Sequence, residues 1–267
     1  MIPNRTLISL GLLCSLAFTG CATNPITGQS ELMLIPEDQD IAIGRQYAPE
    51  VTRQMGGKIA HQELQNYINS VGQRIAAVCQ KPRWQYEYIA LNDETANAFA
   101  LPGGYVFITK GMLKELSSEA QLAAILSHET AHIVARHSSA QMSRQIGIEI
   151  LLSAVTSEST SQGVLTAANL GSQIIGLGYS REQESQADLA GIEYMVKAGY
   201  NPYGMLETMR MLQEQNAVRP IEFFSTHPNP ENRVGKILEY IQQQYPNISS
   251  GKLGAEDYRK YVLTKLN

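Results

Sequence analysis

The sequence predicts an α+β fold, predominantly helical with a small β-sheet. Three observations lead there. Apolar residues recur at helical spacing through almost everything after Gly111. Residues 84–109 instead alternate, or run apolar on either side of Pro102-Gly103-Gly104. No period of about 20 to 50 residues repeats, and the stretch after His227 is too short for an array of helical repeats. The chain has 267 residues, 43% of them apolar and 17% charged, which is ordinary globular composition. Its 21 basic and 25 acidic residues give a net charge of -4, so nothing builds the basic field that nucleic acid requires. Three cysteines are too few for a disulfide scaffold.

Taken in order, the first element is an address rather than part of the fold. Met1 to Thr6 carries Arg5, and Leu7 to Phe18 is an apolar run. That run is too short to cross a bilayer, which takes about 20 apolar residues, and it fits the core of a secretory signal. Phe18-Thr19-Gly20-Cys21 resembles a bacterial lipobox, at which the signal is removed and Cys21 receives lipid. Several acyl chains anchor a protein stably where one does not. Ala22, rather than Asp, follows Cys21 and favours the outer membrane. The expected division is therefore a lipoprotein signal over 1–20, a lipidated tether over 21–36 and a single domain over 37–267. Pro25, Gly28 and Pro36 mark the tether.

Helical periodicity starts near Asp38 and resumes from Gln62 to Cys79 after Gly56-Gly57. Trp84, Tyr86 and Tyr88 alternate with polar partners and predict a strand. Asn97–Ala100 and Tyr105–Thr109 predict a hairpin-like unit. Ser118-Glu119-Ala120-Gln121 is a capping-box sequence, and Leu122, Ile125, Leu126, Ile133 and Val134 follow at helical spacing. A further helix opens at Ser180, with Ser180-x-x-Gln183 as its capping box and Gly199 as its stop.

Chemistry concentrates in the first of these capped helices. His128-Glu129-Thr130-Ala131-His132 is an H-E-x-x-H motif, and the chain's other histidines are His61, His137 and His227. His128 and His132, one turn apart, can reach one ion, and Glu129 can face a water upon it. His137 lies five residues beyond His132, off that face and beside Arg136, so it reads as a surface or helix-end residue. A third donor is needed. Glu184 and Asp188 share a face of the later helix, while Glu182 points roughly opposite. One carboxylate can bind the metal while the next holds a histidine through its outer N–H. Two solvated carboxylates at a polar helix start would show the same spacing. His227, ahead of Pro228 and Pro230, reads on its own as a loop residue.

Together, His128 to His132, Tyr179-Ser180-Arg181 with Glu184 to Asp188, and Ser225-Thr226-His227-Pro228 with Arg233 resemble the HtpX/CAAX-prenyl-protease family of gluzincin metallopeptidases. Asn97 to Gly104 is similar to that family's substrate-side strand region. The resemblance runs from about residue 90 to 235 and points to the soluble, periplasmic lipoprotein branch, similar to the BepA group without its C-terminal repeat domain. It implies one Zn2+ per chain, with His128, His132 and Glu184 as ligands and Glu129 as general base. Asp188 would orient a ligand histidine, His227 would take the water position at rest, and Arg233 would stand near the site.

The function so implied is zinc-dependent endoproteolysis in the bacterial envelope, at the periplasmic face of the outer membrane. Substrates would be unfolded or misassembled envelope proteins, with the outer-membrane assembly machinery as a possible partner. The peptide would extend the edge of a strand such as Tyr105–Thr109, and residues 143–178 could cover the cleft. The alternatives are a zinc-bound chaperone or adaptor for outer-membrane assembly with incidental proteolysis, and a zinc hydrolase of cell-wall peptides. An intact Glu129 argues against the adaptor, because a structural zinc needs no base.

Overall fold

The computed structural model describes residues 20–156, 176, 178–228, 232–248 and 250–266. The expected signal up to residue 19, and most of the expected cover beyond residue 156, lie outside these. The description opens on a hairpin, β1 (Cys21–Thr23) and β2 (Ser30–Leu32), in which Cys21 stands opposite Leu32. The reading of 21–36 as a mere tether overlooked this ordered piece. Asn24 organises its turn. The Asn24 side-chain oxygen accepts the Ile26 amide at 2.9 Å, and its carbonyl accepts the Gly28 amide at 2.8 Å. Gly28, at φ +72°, takes the left-handed conformation that closes the loop.

Helix α1 (Glu37–Gln54) follows, with Glu37, Asp38 and Asp40 in its first turn, where the helix dipole favours negative charge. Helix α2 (Gln62–Ala76) is capped by His61, whose ring accepts the Leu64 amide. Strands β3 (Glu87–Leu91), β4 (Ala98–Leu101) and β5 (Tyr105–Thr109) form one sheet in the order β3-β5-β4. β3 runs parallel to β5, with Glu87 opposite Tyr105. β4 and β5 form the expected hairpin, with Ala98 opposite Ile108. This order corrects one expectation. β5 is the central strand, so both of its backbone edges are already paired, whereas β4 is paired on one side.

The sheet is a layer between two bodies of apolar side chains. Tyr88, Ala90, Val106 and Ile108 join the main core, and Ile89, Leu91, Phe99, Leu101 and Phe107 pack with Tyr47, Ala48 and Val51 of α1. With both faces covered, strand residues run apolar without polar alternation. The strand therefore begins at Glu87 rather than at Trp84.

After the short α3 (Lys110–Glu115) comes α4 (Glu119–Val134), every residue of which is buried. Ser118 accepts the Gln121 amide at 3.2 Å, and the Gln121 side chain caps Ser117 at 2.7 Å. Then come α5 (His137–Thr156), α6 (Arg181–Lys197), α7 (Tyr203–Val218), α8 (Phe223–Thr226), α9 (Arg233–Gln244) and α10 (Ala255–Tyr261). The Ser180–Gln183 capping box is present in both directions. Where α6 approaches α4, a Cβ on Gly191 would stand 3.3 Å from the His128 amide nitrogen, a tight contact that glycine avoids.

Glu119 fastens the start of α4. Its buried carboxylate accepts from Tyr67 (2.6 Å), Arg74 (2.6 Å), Tyr200 (2.8 Å) and Lys252 (2.8 Å). Burial alone would raise its pKa, but Lys252 and the two tyrosine hydroxyls outweigh burial and hold it below the usual carboxylate value. A carboxyl with a lowered folded pKa stabilises fully above its unfolded pKa and loses that contribution as pH falls through the folded one. Glu119→Gln should lower stability by about 2–3 kcal/mol at neutral pH. Urea melts at pH 7 and pH 3 should show the loss shrinking at the lower pH.

Candidate metal centre

Two helices that pack face to face bring the proposed donors together. His128 and His132 leave α4 from consecutive turns, and Glu184 and Asp188 leave α6 in the same way. His227 enters from the residue that ends α8, and Arg233 is the first residue of α9. All six are buried, with exposures of 2% or less.

Donor atoms of His128, His132, Glu184 and His227 lie within 4.8 Å of one another. The Nε2 atoms of His128 and His132 are 3.0 Å apart, and His128 Nε2 is 3.2 Å from His227 Nδ1. His227 Nδ1 is 3.0 Å from Glu184 Oε1, which is 3.4 Å from His132 Nε2. Four donors at tetrahedral corners about 2.0 Å from a zinc ion stand about 3.3 Å from one another. The cluster therefore has the size and the donor chemistry of a zinc site.

Charge and satisfaction agree with geometry. Glu129 is fully buried and neither carboxylate oxygen has a hydrogen-bond partner, a state that protein interiors rarely leave without a ligand or water. Burial raises its pKa against the pull of His227 and His128. Burial would raise Glu184 too, but His227 and Arg233 outweigh it and hold this carboxyl well below the usual range. Asp188 is likewise held down, chiefly by Arg233. Burial would push His227 down, yet Glu184 and Glu129 raise it. Three carboxylates thus face one guanidinium, and a divalent cation fits that balance.

The second layer is equally defined. Asp188 Oδ1 lies 3.0 Å from His128 Nδ1, so that ring's outer N–H meets a carboxylate. Arg233 grips Asp188 with two bonds, of 2.6 and 2.7 Å, and places another nitrogen 2.9 Å from Glu184 Oε2. Glu182 is exposed, as its spacing implied.

His137 corrects the sequence reading. It is fully buried, and its Nδ1 lies 2.8 Å from His132 Nδ1. The reason is Arg136, a non-glycine residue at φ +58°, which breaks the helical run between the H-E-x-x-H helix and α5. Arg136 is held there by Asp40 at 2.5 Å and the Ile35 carbonyl at 2.6 Å. Burial lowers the His137 pKa to about 4, so the ring is neutral at neutral pH. Two aromatic rings support the histidines: Tyr179 belongs to the segment that carries the family resemblance, whereas Phe223 carried no sequence signal. Tyr179 stacks on His132 at 3.8 Å, and Phe223 stacks on His227 at 4.3 Å.

Purified protein should contain one zinc per chain, and His128→Ala with His132→Ala should contain none. Elemental analysis after gel filtration measures this; full occupancy in the double variant would remove the assignment.

The comparisons with known proteins agree with this geometry. Residues 62–241 match Peptidase family M48. The mitochondrial metalloendopeptidase OMA1 of Schizosaccharomyces pombe is 30% identical over 233 residues, covering 85% of this chain and 68% of the relative. The β-barrel assembly-enhancing protease of Yersinia pestis is 27% identical over 246 residues, covering 88% of this chain and 50% of the relative. That of Escherichia coli K12 is 27% identical over 240 residues, covering 85% and 48%. The chain thus spans about half the length of the β-barrel assembly-enhancing proteases it matches. With the match covering most of the chain, and the motif helix and its partner carboxylates inside it, this protein belongs to peptidase family M48.

Proposed function

We propose that this chain is a zinc-dependent endopeptidase of the bacterial cell envelope that degrades misfolded or unassembled outer-membrane and periplasmic proteins. The observation that carries the reading is Glu129, a buried carboxylate with both oxygens unpartnered, adjoining four donors of zinc-binding type. Four protein donors would also suit a structural zinc, but a structural site has no use for such a carboxylate.

His128, His132 and Glu184 would hold the ion. When bound, zinc supplies a Lewis acid that polarises the scissile carbonyl and acidifies the attacking water. Glu129 takes the proton of that water and passes it to the leaving nitrogen; its raised pKa suits a group that must both accept and return a proton. Asp188 fixes the tautomer of His128, and Arg233 neutralises Asp188 and Glu184. Arg233 is spent on those carboxylates, so of the two it is His227 whose variant must distinguish an oxyanion role from restraint.

His227 also restrains the site. Its Nδ1 stands among the metal donors, and its Nε2 lies 3.5 Å from Glu129 Oε1, so it occupies the space a water needs. An extended chain pairing with the one-sided β4 would lie beside α8, since the Phe223 amide bonds the Ala96 carbonyl at the entry to that strand. Main-chain pairing selects unfolded segments. The names of the β-barrel assembly-enhancing relatives support an envelope substrate.

Attachment to the periplasmic face of the outer membrane would run through lipid on Cys21. Cys21 is exposed, and among the described residues no helix is long and apolar enough to cross a membrane.

Glu129→Gln should abolish casein cleavage while keeping zinc and fold, and near-normal cleavage would remove the base. Its companion, His227→Ala, should cleave a short flexible peptide faster than the parent. Slower cleavage with zinc retained would assign His227 to the oxyanion, and no change would make it a loop residue.

Cys21→Ser should move the protein from the membrane pellet to the soluble fraction after a high-salt wash. A variant that still sediments would refute the anchor.

A further inference from the structure

His128 meets a carboxylate on its outer nitrogen, but His132 does not. Its Nε2 faces the donor cluster, and its Nδ1 faces His137 Nδ1 at 2.8 Å. Two imidazole nitrogens at that distance need one proton between them, so one ring donates and the other accepts. Which ring donates is decided elsewhere in the molecule.

The decision starts in the N-terminal hairpin. The Asn24 side-chain oxygen is committed to the backbone amides of Ile26 and Thr27, at 2.9 and 3.4 Å. Its NH2 group must therefore point the other way, where it donates to Glu31 Oε1 at 2.8 Å and to Gln186 Oε1 at 3.3 Å. The same Gln186 oxygen lies 3.1 Å from His137 Nε2. An amide oxygen only accepts, so His137 carries its proton on Nε2 and keeps a lone pair on Nδ1. His132 must then donate through Nδ1–H, which leaves its Nε2 lone pair for a metal. Each link leaves one orientation for the next.

We propose that His137 is the positioning residue of His132: through a proton order set by Asn24 and Gln186, it fixes the tautomer and ring angle in which His132 binds zinc. The proposal rests on the reading of His132 as a zinc ligand. It means that the two histidines of one motif are held differently, one by an anion and one by a neutral imidazole. It also gives the N-terminal hairpin a share in the metal site.

Zinc affinity by chelator competition, and the visible spectrum of the cobalt-substituted protein, test this without reference to activity. His137→Phe keeps ring volume but cannot accept, and should weaken zinc by about 10- to 100-fold while shifting the cobalt bands. His137→Asn puts an amide oxygen near the place of Nδ1 and should recover most of the affinity. Gln186→Met, at a half-buried position that spares the fold if His137→Phe does not fold, should weaken zinc about 10-fold. Wild-type affinity in His137→Phe, an Asn variant as weak as the Phe variant, or wild-type affinity in Gln186→Met would each overturn the proposal. Loss of zinc in the His128→Ala, His132→Ala protein alongside such a result would show that the ligand assignment stands and only the positioning role has failed.

Discussion

Two carboxylates one helical turn apart cannot enter a protein interior without a cation, and Arg233 is the cation that admits Glu184 and Asp188. Its two bonds to Asp188 and its 2.9 Å approach to Glu184 neutralise both anions without drawing either from the histidines. Removing a partner from a buried charge cluster is among the larger perturbations a protein can suffer, about 3–5 kcal/mol. The packing of α6 on α4 depends on that neutralisation, and the positions of His128, His132 and Glu184 depend on the packing. The start of α9 is therefore as much a part of the centre as the motif helix.

The motif helix was legible because its information is local. His128, Glu129 and His132 declare themselves by spacing, and Ser118 and Ser180 announce where the two helices begin. Glu184 and Asp188 could be paired from their i, i+4 separation. What could not be read was set by backbone conformation or by distant pairing. His137 looked peripheral because helical counting was carried through Arg136, and nothing local marks a left-handed arginine in advance. β5 looked like an edge because hairpin signals reveal only adjacent strands, whereas its second partner, β3, comes from 18 residues upstream across a parallel register. The hairpin at Asn24 was hidden because proline and glycine mark turns equally well in ordered and loose segments.

His227 joins the donor cluster to the sheet. Its ring lies flat on Phe223, with an interplanar angle of 8°, and the amide of that phenylalanine is bonded to the chain just ahead of β4. A shift of β4 therefore reaches His227 through one stacked ring and one backbone bond. Such a short linkage would suit the proposed displacement of His227 by an extended chain.

The turn at Arg136 has a further consequence. An uninterrupted helix advances about 100° per residue, so His137 would lie about 140° round the axis from His132. The left-handed residue resets the helical phase, and α5 starts its own count from His137. Residues gained or lost later in α5 cannot rotate His128 and His132 of α4, since the two helices share no continuous spiral. The phase of α5 is thus set independently of α4, and a single dihedral angle, clamped from outside by Asp40, brings His137 into register with His132.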